Sequence, residues 1–191
     1  MLTSTLVFQS ALVAGQTVIN TSPAASLERW VQYYQTNPMQ LDSIKSALYR
    51  LEELMYGYNF EVKLGIEIFE NCNSIVNFKI KLREAFPETR PDEATLIEVD
   101  RASFWQNINE CLAYRGDKSE DYYLGDENKL RIELEQKKYT DFLKDFLSHS
   151  SKIFEYSDER GIPGYPVWWE YRYFIFGEND ICIFTYGAAS D

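Results

Sequence analysis

Leu41, Ile44, Leu48, Leu51 and Met55 recur at intervals of three and four residues, the spacing that gathers apolar side chains on one face of a helix. Asn37, Pro38 and Gln40 supply a cap, a first-position proline and a third-position amide, and Gly57 marks the end, so a helix is predicted from Pro38 to just before Gly57. Ser22 before Pro23 opens an earlier one over "PAASLERWVQYYQ" in the same way.

From Phe60 the period shortens to two. Phe60, Val62, Leu64, Ile66 and Ile68 alternate with Glu61, Lys63, Gly65 and Glu67, and after "NCNS" the alternation resumes in Val76, Phe78, Ile80 and Leu82. Two strands joined by a turn are the simplest account, with Ile68 opposite Val76 and Val62 opposite Leu82. "TLIEV" reads as a short strand, and Asp100 caps a helix with Phe104, Ile108, Cys111 and Leu112 on one face. "KLRIELE" alternates as another strand, and "YTDFLKDFLSHSSKIF" carries a helical stripe of Phe142, Leu143, Phe146 and Leu147.

The chain closes on "VWWEYRYFIFGENDICIFTYG". With "GEND" as the turn, Phe176 pairs with Ile181, Ile175 with Cys182, Tyr173 with Phe184 and Tyr171 with Tyr186. One face of this hairpin is then apolar and aromatic throughout, and the other is apolar near the turn. Such a hairpin belongs inside, covered by helices or by a second subunit in a homo-dimer. Each large side chain it buries contributes roughly 1.5 to 3 kcal/mol.

Together these elements predict an α+β fold: a mostly antiparallel sheet built from two β-hairpins plus additional strands, with helices packed chiefly on one side. A length of 191 residues with 45% hydrophobic residues suits one globular domain over 1–191, with residues 1–22 the candidate for a loosely packed N-terminal segment.

Charge sharpens the picture. The formal net charge is −11, and it is concentrated: residues 88–136 hold 13 acids and 6 bases, against 8 and 7 in residues 1–87. That field repels phosphate backbones, so nucleic acid is excluded as a partner and a basic protein is favoured. Three widely spaced cysteines without a CxxC pair argue against a disulfide framework or a zinc site and for a reducing, cytoplasmic setting. The N-terminal apolar patch lacks a basic flank and is too short to span a bilayer, so neither a leader nor a membrane is expected.

Candidate chemistry is sparse. No GxGxxG, GxxxxGK[ST] or GxSxG occurs, and nothing calls for a metal or a cofactor. His149 falls at a helix C-terminus, a place that favours a cationic side chain. Cys111 and Cys182 read as core residues, while Cys72, in the predicted turn, reads as the exposed thiol. The acidic loop places Glu120, Asp121, Asp126 and Glu127 around Tyr122 and Tyr123, a combination of aromatic anchors and steering charge that suits partner binding. Glu170 and Arg172, flanked by Trp168, form the one polar pair among the aromatics, either a structural ion pair or one wall of a ligand pocket.

Three functions remain open at this stage. The first is a non-enzymatic acidic interaction or regulatory domain, such as an immunity-type antidote or an adaptor. The second is a small-molecule binding domain with an aromatic pocket formed by the C-terminal hairpin. The third is a carboxylate- or Cys72-dependent enzyme.

Overall fold

A computed structural model describes residues 38–56, 61–115, 126–158 and 168–190. Its elements, in chain order, are α1 (Pro38–Met55), β1 (Glu61–Phe69), α2 (Ile75–Ala85), β2 (Thr95–Val99), α3 (Arg101–Ala113), α4 (Asp126–Ser148), β3 (Ser150–Ser157), β4 (Trp169–Gly177) and β5 (Cys182–Ser190). The predicted helix over 23–35 lies outside the described residues.

The five strands form one antiparallel sheet in the order β1-β5-β4-β3-β2. The terminal hairpin therefore occupies the interior of the sheet, as its two-sided apolar pattern requires. On one face Leu64, Ile66, Ile153, Tyr173, Ile175 and Ile183 pack against α1, α3 and α4. On the other, Phe154, Phe174, Phe176, Cys182 and Phe184 are covered by Phe78 and Leu82 of α2. The α+β class and the one-sided majority of the helices agree with the sequence pattern.

Several local expectations are overturned. Residues 75–85 form a helix, not the second strand of a hairpin. Phe78 and Leu82 are fully buried while Val76 and Ile80 are 66% and 48% exposed, the i, i+4 division of a helix. Ser74 caps it, its side chain accepting from the Asn77 N–H at 3.3 Å, and Asn71 turns the chain with φ 54°. The place beside β1 is taken by β5. A helix at 75–85 also covers the second aromatic face of the hairpin, which a strand beside β1 would leave wet.

"KLRIELE" likewise belongs to α4: Ile132 is buried, but Leu130 and Leu134 are 57% and 51% exposed. The helix then stops at Ser148, and "SSKIF", predicted as its continuation, opens β3. In the terminal hairpin the register is one residue from that predicted: Phe176 pairs with Cys182, Ile175 with Ile183, Tyr173 with Thr185 and Tyr171 with Gly187. The turn is longer because Asn179 and Asp180 both adopt left-handed backbone, φ 56° and 58°, and the Gly177 N–H closes it on the Ile181 carbonyl at 2.8 Å.

Candidate functional site

Arg172 and Glu170 lie on the second face of β4, near the open end of the hairpin, where Arg172 faces Tyr186 across the strands. Arg172 is 4% exposed, so its guanidinium needs partners. One terminal nitrogen pairs with the Glu170 carboxylate and the other donates to the Asp158 carbonyl at 3.1 Å. The Asp158 carboxylate in turn accepts the Tyr156 hydroxyl at 2.8 Å and the Arg90 backbone N–H at 3.0 Å. Burial, and then the Asp158 carboxylate, push the Tyr156 phenol well up. This cluster ties the ends of β3 and β4 to the connection between α2 and β2. Trp168 is 45% exposed and stacks on Tyr114, just beyond α3, with ring centroids 6.1 Å apart.

The cysteines depart from expectation at one position. Cys72 is fully buried, not exposed, because 71–74 is a packed connection into α2 rather than a hairpin turn; its N–H donates to the Asp180 carbonyl at 2.6 Å. The neighbouring Cys182 thiol lowers the Cys72 pKa, while burial raises that of Cys182. Burial pushes Cys111 up to about 12. All three thiols are core residues in the described structure.

Sequence patterns gave no hint of the hydroxyl network between α4 and the sheet. The Tyr139 hydroxyl meets that of Thr185 at 2.5 Å and that of Tyr171 at 3.2 Å, and Thr185 donates to the Gly65 carbonyl at 3.2 Å. Asn107 donates to the Tyr173 hydroxyl at 2.8 Å beside it. These bonds satisfy polar groups that would otherwise be buried alone.

Of the acidic loop, Glu120, Asp121, Tyr122 and Tyr123 lie outside the described residues. Asp126 is the first residue of α4 and Glu127, in its first turn, is exposed. Within the same acidic stretch, Glu88, Asp92, Glu93, Glu98 and Asp100 are all exposed, flanking or lying on β2 at one edge of the sheet. Arg83 pairs with Asp92 at 2.5 Å, Arg90 with Glu93 at 3.3 Å and Lys152 with Glu98 at 3.0 Å, all on the surface. Exposed pairs of this kind are worth about 0–1 kcal/mol and are readily exchanged for other partners. Asp100 has its pKa lowered by the Ser103 N–H it accepts as the cap of α3.

Among the described residues, no group of three or more His, Cys, Asp or Glu side chains is placed to hold a metal ion, and no helix is long and apolar enough to cross a membrane.

No protein-family model matches the chain, and no curated protein is significantly similar to it in sequence. Among solved structures, two crystal forms of citrus MAF1 overlap it. One has TM-score 0.47 and 11% identity and the other TM-score 0.48 and 12% identity; each covers 75% of this chain and 98% of the MAF1 chain.

Proposed function

We propose that this protein is a non-enzymatic acidic interaction domain that docks on a basic partner protein. The observation that carries this reading is the set of exposed carboxylates, Glu88, Asp92, Glu93, Glu98 and Asp100, collected at one edge of the sheet. They belong to the stretch 88–136, where acids exceed bases by 13 to 6. Three of them are held in exposed pairs with Arg83, Arg90 and Lys152, so a basic partner would dock by exchanging into these pairs, its approach favoured by the acidic excess of the stretch. Glu120, Asp121, Asp126 and Glu127, with Tyr122 and Tyr123, belong to the same acidic stretch of the sequence and are the partner-binding candidates it offers.

The test compares affinity capture by the wild-type protein with capture by a triple variant, Asp92→Asn, Glu93→Gln and Glu98→Gln. All three side chains are exposed, so stability should change by less than about 1 kcal/mol. The wild type should retain a basic protein at low salt that the folded variant loses. Equal recovery by both would sink this docking surface, and recovery of no basic protein by the wild type would sink the interaction reading itself.

A further inference from the structure

The sheet has two edges, and the structure treats them differently. At β1 the edge is guarded: the Leu64 N–H donates to the Glu52 carboxylate at 2.6 Å, so α1 supplies a partner to the backbone there. At the other edge β2 pairs only with β3. Among the described residues nothing pairs with its outer side, so a row of backbone donors and acceptors faces outward.

Edge strands in natural proteins are commonly blunted by lysine, proline or a bulge. The sequence of β2, Thr95-Leu96-Ile97-Glu98-Val99, has none of these; it is short, at five residues, and its one charge, Glu98, is paired with Lys152 of β3 at 3.0 Å. Its side chains instead sort by face. Ile97, 55% exposed, shares a face with Thr95 and Val99, and Glu98 lies on the opposite face with Leu96. The strand is therefore an open backbone edge with an apolar contact on one face and a carboxylate on the other.

We infer that the outer edge of β2 accepts an extended, basic segment of a partner protein as an additional antiparallel or parallel strand. Main-chain bonds to the edge would provide affinity and alternate side chains specificity. The segment that fits has an apolar residue beside Ile97 and a lysine or arginine that competes with Lys152 for Glu98, with Asp92 and Glu93, held in exposed pairs by Arg83 and Arg90, open to the same exchange. A second copy of this chain is a poor occupant. It would bring the same acids, at a net charge of −11 per chain, against the same edge. This inference rests on the interaction reading above and adds to it the mode of docking and the chemistry of the partner segment.

Two synthetic peptides test it on the full chain. One alternates valine and lysine over eight residues; the other keeps the lysines but has proline in place of each valine, so that it carries the same charge without the alternate N–H groups. At low salt the first should bind at least tenfold more tightly, because the proline peptide lacks both the alternate backbone donors and the apolar contact of valine with Ile97. It should also slow amide hydrogen exchange within Thr95–Val99. An Ile97→Lys variant, which should fold because the side chain is exposed, should weaken the valine–lysine peptide at least tenfold through like charge and loss of the apolar contact. Equal binding of both peptides, without protection of Thr95–Val99, would overturn strand addition and leave the electrostatic reading standing. Binding of neither peptide at low salt would overturn both.

Discussion

Cys72 shows how far a single residue's role depends on the element that carries it. In a hairpin turn it would be an exposed thiol; entering α2 it is buried beside Cys182. In the native protein all three cysteines should therefore react with a thiol reagent far more slowly than a free thiol, and Cys111, whose pKa burial pushes to about 12, should be slow even at mildly alkaline pH. Modification of native Cys72 at the rate of a small-molecule thiol would mean that 71–74 is not packed as described. Gly187 makes a second residue-scale prediction. A Cβ there would lie 2.7 Å from the Tyr171 ring and 2.8 Å from a Leu64 methyl, and both neighbours are buried and held in register. Gly187→Ala should cost about 1–3 kcal/mol in denaturant unfolding. An unchanged midpoint would show that the β1–β5 interface is looser than this packing. Arg172 and Glu170 were legible in the sequence as a pair. Their further partner Asp158, and the Tyr156 and Arg90 that bond Asp158 in turn, come from segments up to 82 positions away in the chain, and no local pattern announces such contacts.

At the scale of elements, α1, β2 and α3 could be read from the sequence because cap, period and stop signals agreed. Asp100, for example, caps α3 and its predicted stripe of Phe104, Ile108, Cys111 and Leu112 is buried. In 76–82 the signals conflict. Apolar residues at every second position contain i, i+4 pairs, 76 with 80 and 78 with 82, so the same letters satisfy both periods. Ser74 three residues before Asn77 was the local clue to a helix; the decisive term was nonlocal, the aromatic second face of β4 and β5 that needs a cover. "KLRIELE" is misleading for the same reason, and the hairpin register was misjudged because a turn with two left-handed residues, Asn179 and Asp180, is longer than "GEND" suggests. Alanine substitutions distinguish the two accounts of 76–82. In the helix, Phe78→Ala and Leu82→Ala should each cost about 2–5 kcal/mol, while Val76→Ala and Ile80→Ala should cost well under about 1 kcal/mol. Four comparable losses in thermal or denaturant unfolding would instead support a strand.

At the scale of the whole molecule, the aromatic hairpin and the acidic surface are complementary features of one design. A sheet interior lined with rings supplies apolar burial, and the surface can then carry a net charge of −11 without depending on ion pairs. The buried rings also fix the response to alkali. Burial raises the pKa of Tyr139 and Tyr186 to about 12, and raises Tyr156, Tyr171 and Tyr173 as well. Folding thus favours their neutral forms. Stability should be unaffected by these groups below the unfolded tyrosine value of about 10 and should decline as pH rises from there through the folded values. Chemical denaturation across that range, with tyrosinate absorbance followed in parallel, checks this. Ionisation of these phenols near pH 10 without loss of structure would contradict their burial.

We propose that the carboxylates at the β2 edge recruit a basic partner, and the ionic-strength dependence of the association rate tests this most directly. For a basic protein captured by the wild type, the rate should fall steeply as salt rises. In the Asp92→Asn, Glu93→Gln, Glu98→Gln variant, association at low salt should be slower and its salt dependence flatter. Identical rates and slopes for the two proteins would contradict the account.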